Sequence, residues 1–319
     1  MNIQTIYNYY DRLNYNVMRV VPNLSLNFNP KLRIICVEIT NHCNMACQMC
    51  NLRNTERKFG YMNLNLFKEI VKQSASLKPT TFHLNFEGES FMHPQIKQFL
   101  ELSAATNSKH RQLFTNGMLV KPHLETIARC LTMIVFSLDG VDEANDRIRL
   151  GCKYDVVMEN IEALKEVRDQ LGTDLKIGVN LTNYTQTEKE IQDFIAEMQS
   201  HFVDIISISE YRDEMNHYIK PGYDRRSVEK RNSKRIAIPI RYCPFPLNTI
   251  VVLWNGDISF CLCAVTTHPP TLTQFNAYND SLKDIWNSQT WREMRNDSFR
   301  LGYPPFKVCT ECQFAKELR

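Results

Sequence analysis

The feature that most constrains the fold is a regular alternation of apolar runs and amphipathic stretches between residues 33 and 209. Runs such as RIICVEI and LTMIVFSLD look like buried strands, and stretches such as YDVVMENIEALKEVRDQLG have helical spacing. Strands that alternate with helices form a parallel sheet with the helices packed outside it. The pattern therefore predicts an α/β fold of about six β/α units, fewer than a closed eight-fold barrel has, and so a partial (β/α)6 barrel that stays open.

Three further segments lie outside this alternation. Residues 1–32 form an N-terminal extension. Residues 210–241 are a basic linker, which we expect to be solvated, or alternatively to be a mobile loop that contacts an anionic substrate. Residues 242–319 predict a small cysteine-rich C-terminal domain, with a β-hairpin around an Asn-Gly turn and a helix that begins after Ser281.

Composition and charge limit the classes of partner. The net charge of +3 is too small to indicate a nucleic-acid-binding protein. No apolar run reaches the length of a membrane span, and the N-terminus lacks the pattern of a secretory signal, so we expect a cytoplasmic protein without a membrane partner. Thiols stay reduced in the cytoplasm, so the 11 cysteines indicate metal binding or catalysis rather than a disulfide framework.

Three of the cysteines follow the first predicted strand with the spacing C-x3-C-x2-C: Cys43, Cys47 and Cys50. In α/β proteins the loops at the carboxyl ends of the strands form the active site. Three thiolates suit either a zinc ion with one open position or a 4Fe-4S cluster in which one iron lacks a protein ligand. Both hypotheses predict a site with a coordination position left for a ligand.

This spacing, at the end of the first strand of a partial barrel, resembles the signature of the radical S-adenosylmethionine (SAM) enzymes. The resemblance implies that the three cysteines hold a 4Fe-4S cluster whose fourth iron is chelated by the amino and carboxylate groups of SAM. It further implies reductive cleavage of SAM to a 5′-deoxyadenosyl radical that abstracts a hydrogen atom. Met49 corresponds to the bulky residue that the family packs beside the adenine.

Other motifs at predicted strand ends agree with this resemblance. FEGES is similar to the Gly-Gly-Glu-Pro element, which implies that Glu89 accepts from the SAM amino group and that Gly88 belongs to the same cofactor-binding element, although Glu87 and Ser90 depart from the pattern. TNG and SLDG follow the next two strands. By the same resemblance they and the following segment supply further cofactor contacts, with Arg147 or Arg149 pairing with the SAM carboxylate: Asn116, Ser137, Asp139, Arg147 and Arg149.

A second group of cysteines lies near the C-terminus and resembles the front half of the SPASM pattern. The chain ends soon after its CxxC pair, which favours the shortened "twitch" version with one auxiliary 4Fe-4S cluster. The resemblance implies four ligands: Cys243, Cys261, Cys309 and Cys312. Four thiolates also suit zinc, and that alternative stays open. Full protein ligation of a cluster favours a role as electron acceptor or relay.

Two other cysteines are candidates for catalysis. Cys263 lies on the same strand face as Cys261, where it is a replacement ligand, a hydrogen-atom donor or a core residue. Cys152 follows the segment of the two arginines, near the rim of the expected active site, and is either a second candidate donor or an ordinary thiol.

The sequence thus favours a radical SAM oxidoreductase or epimerase that acts on a small polar substrate, such as a sugar or aminocyclitol. We expect an electron donor of the flavodoxin or ferredoxin type. Modification of a ribosomal peptide is the alternative, and the shortness of the segment before the barrel weighs against it because peptide-modifying relatives often carry a larger leader-binding domain there. A non-enzymatic zinc or iron–sulfur protein is the alternative from another class.

Overall fold

The computed structural model describes most of the chain, in these segments: residues 30–211, 243–262, 271–304, 306, 309–310 and 312. Cys263, most of the N-terminal extension and most of the basic linker lie outside the described residues. Among the helices that are described, none combines the length and apolar character that crossing a bilayer requires.

Six parallel strands form the first part of the sheet. Their order is β6-β5-β4-β3-β2-β1, so each strand pairs with its neighbour in the sequence and the sheet stays open. The strands are β1 Ile34–Val37, β2 Thr81–His83, β3 His110–Thr115, β4 Met133–Ser137, β5 Lys176–Asn183 and β6 Ile205–Glu210. The predicted open, partial barrel is confirmed.

At least one helix follows each of the first five strands, as the alternation predicts, and β4 is followed by two. These helices are α1 Leu64–Leu77, α2 Ile96–Ser103, α3 Leu124–Cys130, α4 Glu143–Ile148, α5 Tyr154–Leu171 and α6 Glu188–Ser200. Gly172 ends α5 in the left-handed conformation with φ +62°, which is the C-cap that the sequence predicts. Thr187 begins α6 with a capping box that it forms with Glu190.

The two faces of the sheet differ in character. On β1, Ile35 and Val37 are fully buried in the main core between the sheet and the helices. The intervening residue, Cys36, lies on the opposite face, where it packs with Val251 and Leu253. Since side chains alternate along a strand, the residues of this second face line the concave side of the open barrel.

The C-terminal segment extends the same sheet. The predicted hairpin forms strands β7 Thr249–Val252 and β8 Asp257–Ser259, with the turn at Gly256. Strand β9, Thr271–Asn276, pairs with β8. Strand β7 pairs in parallel with β1, so that β7, β8 and β9 extend the sheet to nine strands among the described residues, an arrangement that the sequence does not predict.

Three helices accompany these strands: α7 Phe245–Asn248, α8 Leu282–Asn287 and α9 Gln289–Leu301. The prediction of a single helix after Ser281 is wrong, because Ser288 adopts an extended conformation with ψ 156°. Its hydroxyl accepts a hydrogen bond from the Trp291 amide and so caps a second helix, a local bond with which serine competes against helix continuation. Ser281 caps α8 as predicted.

Candidate active site

The three-cysteine loop follows β1 at the carboxyl edge of the sheet. Its backbone is bonded to the segment around the end of α4, where the Ala46 amide donates to the Leu150 carbonyl at 2.8 Å and the Gln48 amide donates to the Ile148 carbonyl at 2.9 Å. The loop after β1 is therefore held against the segment that follows β4.

The three thiols share a common electrostatic environment. Cys47 is buried, and Cys43 and Cys50 are half-buried. Burial raises the pKa of Cys43 to about 12, and the neighbouring Cys47 and Cys50 add to the rise. Burial also raises the pKa of Cys47, while the nearby charge of Arg149 acts in the opposite direction. A bound iron would displace the protons of these thiols, because iron binds the thiolate form.

Glu89 joins this loop to the ends of β2 and β3. Its carboxylate is almost fully buried and accepts three hydrogen bonds, from the Phe91 amide (3.1 Å), the Thr115 hydroxyl (2.9 Å) and the Asn116 amide (2.7 Å). Burial raises the pKa of Glu89, and these hydrogen bonds oppose the rise by stabilising the anion. A carboxylate has about four acceptor sites, so one remains for a further donor.

Two contacts connect Glu89 with the cysteine loop itself. The Glu89 amide donates to the His42 carbonyl at 2.7 Å, and the Asn116 side chain donates to the Asn44 side chain at 2.7 Å. Gly88 permits this approach: its φ is +75°, and a Cβ atom there would lie 2.7 Å from the backbone of Asn41 and His42. Glycine at position 88 thus meets a steric requirement of this close approach.

A buried ion pair also lies close to the cysteine loop. The Arg149 Nε atom is 2.6 Å from Asp139 Oδ2, and both side chains are at most 10 % exposed. Opposite charges hold these two atoms together, although they are not aligned for a hydrogen bond. Arg149 Nη1 lies 3.9 Å from the Cys47 sulfur. Asp139 Oδ1 accepts from the Thr182 amide at 2.6 Å, which fixes the pair to the end of β5.

The structure separates the two candidate arginines. Arg147 lies on α4 with its side chain 57 % exposed and pairs with Glu190 at 2.9 Å, so its guanidinium is directed away from the thiols. Arg149 is the guanidinium that reaches the cysteine loop. The other predicted cofactor contacts, Met49 and Ser137, are both half-buried, in the loop and at the end of β4.

Sequence reasoning missed a second buried ion group at the same edge. Arg57 Nη1 lies 2.9 Å from Glu38 and 2.5 Å from Glu87, and the two carboxylates are at most 4 % exposed. Burial, followed by repulsion from Glu38, raises the pKa of Glu87 to about 7, and Arg57 opposes this rise. The signal that was available is Glu87 itself, which stands where the related motif has glycine.

The four C-terminal cysteines lie on segments that contact one another. The Cys243 amide donates to the Gly302 carbonyl at 2.8 Å, and the rings of Phe260 and Phe306 lie 5.3 Å apart. Phe260 precedes Cys261, and Phe306 precedes Cys309 and Cys312. Cys243 and Cys309 are buried, and Cys261 and Cys312 are half-buried.

The two candidate hydrogen donors differ in what can be described. Cys152 is 3 % exposed and is packed in the main core, with its amide bonded to the Arg149 carbonyl at 2.8 Å. Cys263 lies outside the described residues.

The donor set fits an iron–sulfur cluster on chemical grounds. Three soft thiolates on one short loop suit iron–sulfur ligation, in which the cysteines bind different irons. Within the part of the chain that the structure describes, no group of three or more His, Cys, Asp or Glu side chains is arranged around a single metal ion. The fit therefore rests on the type and spacing of the donors and on their place at the strand ends.

Two family models match the chain. The radical SAM superfamily model covers residues 37–198, and the model of an iron–sulfur cluster-binding SPASM domain covers residues 243–313. The first match includes the three-cysteine loop, Glu89 and Arg149, and the second includes the four C-terminal cysteines.

The individual proteins described next each share less than a quarter of their residues with this chain. The chain is 23 % identical to a tungsten-containing aldehyde ferredoxin oxidoreductase cofactor-modifying protein of Pyrococcus furiosus, with 88 % of this chain and 87 % of the relative covered. Among solved structures, Streptococcus suis SuiB bound to S-adenosylmethionine matches with a TM-score of 0.69 and 18 % identity, over 97 % of this chain and 77 % of SuiB. BtrN in complex with AdoMet and 2-DOIA matches with a TM-score of 0.53 and 15 % identity, over 90 % and 94 %.

Proposed function

Because this chain belongs to the radical SAM superfamily and carries a SPASM domain, we propose that it is an oxidoreductase or epimerase that abstracts hydrogen from a small polar substrate. Its cofactors are S-adenosylmethionine and 4Fe-4S clusters. When bound and reduced, these cofactors supply the 5′-deoxyadenosyl radical that removes the hydrogen atom. The observation that carries the proposal is the direct hydrogen bonding between the three-cysteine loop and the Glu89–Asn116 network at neighbouring strand ends.

Different residues at this edge of the sheet are proposed to hold the cluster and SAM. In the proposal Cys43, Cys47 and Cys50 ligate the first cluster, and Glu89 accepts from the SAM amino group through its remaining acceptor site. Rigid support for Glu89 comes from its three hydrogen bonds, so little reorganisation is needed when the cofactor binds. The other proposed contacts lie on the loop and on the ends of β2 to β4 and the segment after them: Met49, Gly88, Asn116, Ser137, Asp139 and Arg149.

The C-terminal cysteines are proposed to hold one auxiliary cluster. The ligands are Cys243, Cys261, Cys309 and Cys312, whose segments pack together through Phe260 and Phe306. A cluster that the protein ligates fully serves as an electron acceptor or relay. An external flavodoxin or ferredoxin is the proposed electron donor for the first cluster.

The concave face of the sheet supports a small polar substrate. Within β5 and β6, Asn180 accepts hydrogen bonds from the hydroxyls of Ser207 (2.7 Å) and Ser209 (2.8 Å). Val179 and Leu181, which flank Asn180, are buried in the core, so the Asn180 side chain and the hydroxyls bonded to it belong to the opposite, concave face. Uncharged amide and hydroxyl groups suit the hydroxyl and amino groups of a sugar or aminocyclitol, and the complex of BtrN with 2-DOIA is in keeping with this class.

A peptide substrate is the second candidate. It is favoured by the structural likeness to SuiB, which has been solved bound to precursor peptide SuiA with a TM-score of 0.69 over 97 % of this chain. A protein-bound or free cofactor is a related possibility by analogy with the Pyrococcus relative. A deuterated candidate substrate distinguishes these classes, because only the true substrate transfers deuterium into 5′-deoxyadenosine.

The decisive experiment is anaerobic reconstitution with iron and sulfide, followed by reduction in the presence of SAM. We expect about eight irons per chain, as two 4Fe-4S clusters require, and formation of 5′-deoxyadenosine. Cys50→Ala should abolish that product, whereas the matched control Cys130→Ala, which alters a core thiol at the end of α3, should not. No 5′-deoxyadenosine from a fully loaded wild-type chain would contradict the proposal and favour a non-enzymatic iron–sulfur protein.

Glu89 provides a narrower test of the same site. Glu89→Gln keeps the size of the side chain but removes its charge and turns two acceptor sites into donors. We expect a fall of at least tenfold in SAM affinity, at about 1.4 kcal/mol for each factor of ten, measured by equilibrium binding to the reconstituted protein. The exposed Glu101→Gln is the control and should bind SAM as the wild type does. Equal affinity of Glu89→Gln and wild type would remove Glu89 from the cofactor site.

The two spare thiols distinguish epimerisation from dehydrogenation. If the product is an epimer, Cys263→Ala or Cys152→Ala should stop turnover while cleavage of SAM persists, since a thiol must return the hydrogen atom. Normal turnover by both variants would leave the donor role to another group.

A further inference from the structure

The buried arginine beside the cysteine loop is placed to act on the cluster ligands rather than on SAM alone. Arg149 directs Nη1 toward the Cys47 sulfur at 3.9 Å, while Nε is held 2.6 Å from Asp139 Oδ2. Asp139 is itself anchored by the Thr182 amide, and the Asp139 amide donates to the Asn145 side chain at 2.9 Å. Asp139 thus holds the guanidinium at Nε, and Nη1 is directed toward a thiol.

Both members of this ion pair are in a dry environment. Asp139 is fully buried, and Arg149 is 8 % exposed. The guanidinium stays charged under all ordinary conditions, and a charge in such surroundings is screened much less than one on the surface. Backbone hydrogen bonds from Ala46 and Gln48 to the residues on either side of Arg149 keep this charge at a constant position relative to the loop.

A positive charge near an iron–sulfur cluster favours its reduced form, because reduction adds one negative charge to the cluster. Hydrogen bonds to the cysteine sulfurs act in the same direction. Asp139 has the opposite effect, since its carboxylate partly cancels the charge of Arg149. The potential of the cluster then depends on a balance between two residues that follow β4, whereas the cysteines follow β1.

We propose that Arg149 is a positioning residue that raises the reduction potential of the cluster on Cys43, Cys47 and Cys50, and that Asp139 limits this effect. The inference rests on the proposed ligation of that cluster. It goes beyond the pairing of an arginine with the SAM carboxylate, because it assigns Arg149 an effect on the cluster before SAM binds.

The test is a redox titration of the reconstituted full chain without SAM, monitored by electron paramagnetic resonance. The signal of the first cluster is identified in a parallel sample, as the one that changes when SAM is added. In Arg149→Met we expect the ratio of reduced to oxidised cluster at a fixed poise to fall about tenfold, which corresponds to about 59 mV for a one-electron couple. In Asp139→Asn the potential should shift in the opposite direction.

Arg147→Met is the matched control. It removes the same charge two residues away, but that guanidinium is 57 % exposed and pairs with Glu190, so no shift is expected. Arg149→Lys keeps the charge and should recover most of the potential that Arg149→Met loses. A purely structural role would not produce shifts of opposite sign in the Arg149 and Asp139 variants.

Three results would overturn the inference. The first is an unchanged potential in Arg149→Met with a loss of SAM affinity only. The second is an equal shift in Arg147→Met. The third is a shift of the same sign in Asp139→Asn and Arg149→Met. If Arg149→Met fails to load a cluster, the inference is overturned instead by a potential in Asp139→Asn that does not rise. A wild-type chain that loads the cluster but forms no 5′-deoxyadenosine would contradict the proposed function while leaving the shifts in potential intact.

Discussion

Two arginines at this edge of the sheet, Arg149 and Arg57, pair with buried carboxylates, and their charges are balanced differently. Arg149 faces one carboxylate, Asp139, and one thiol. Arg57 faces two carboxylates, Glu38 and Glu87. The first group is neutral when the thiol is protonated, whereas the second carries an excess negative charge when both glutamates are ionised.

The difference shows how the same ion-pair chemistry is suited to two tasks. A one-to-one pair leaves a nitrogen of the guanidinium for a third group, as the approach of Arg149 to Cys47 illustrates. In the two-to-one group, burial and then repulsion from Glu38 raise the pKa of Glu87 to about 7, and Arg57 opposes the rise only in part. The second group joins the ends of three strands. Glu38 follows β1, Glu87 follows β2, and the Trp254 amide after β7 donates to Glu38 at 3.4 Å.

The largest expected effect comes from removing Arg57. Arg57→Met leaves two buried carboxylates without their cation, and breaking a buried pair in this way typically costs about 3–5 kcal/mol in the free energy of unfolding. Chemical denaturation at pH 8 measures the loss, with Arg129→Met, which breaks an exposed pair with Glu125, as the control. A loss below about 1 kcal/mol at pH 8 would show that the group of Arg57 is not stabilising.

The next effect is a dependence of stability on pH that arises from Glu87. Glu87 has a folded pKa of about 7, above its ordinary value of 4.5, so the folded state binds more protons than the unfolded state between these values. Stability contributed by protonated Glu87 is therefore present below pH 4.5 and is lost as the pH rises through 7. Between pH 5 and 8 we expect the wild type to lose about 1–3 kcal/mol relative to Glu87→Gln.

Denaturation of both proteins across this range provides the measurement. The difference between the wild type and Glu87→Gln should grow with pH and level off above pH 8. A difference that stays constant would mean that Glu87 is ionised throughout and that Arg57 compensates both acids.

The smallest effect is expected at the surface. Arg147→Met breaks the pair with Glu190, in which the arginine is 57 % exposed, and exposed pairs contribute less than about 1 kcal/mol. The same denaturation assay should thus rank Arg57→Met well above Arg147→Met. If the two variants lost similar stability, burial would not be the property that separates these arginines.

The sequence predicts the fold because its local patterns agree with its tertiary structure. Apolar runs became β1 to β6, and Gly172 ended a helix, since each depends on neighbouring residues only. The break at Ser288 was not predicted, because the helical pattern continues through it. The pairing of β7 with β1 was not predicted either, because a contact between strands far apart in the sequence leaves no local signal.

The candidate site follows the same division. The cysteine spacing and Glu89 are visible in the sequence, and the structure joins them by hydrogen bonds. The choice between Arg147 and Arg149 depends on the direction of each side chain at the end of α4, which spacing alone does not give. Arg57 was missed because its two partners meet only where the ends of β1 and β2 lie side by side.

The place of β1 in the sheet has a consequence for the order in which the chain matures. This strand, which carries the cysteine loop, is flanked by β2 on one side and by β7 on the other. The contact between Glu38 and Trp254 joins residues that are 216 positions apart. Contacts of such separation form late in folding, because the entropy of closing the intervening chain must first be overcome. Translation must therefore pass β7 before the strand that carries the cysteine loop gains the second of its two neighbours, so the loop is synthesised well before its strand is paired on both sides.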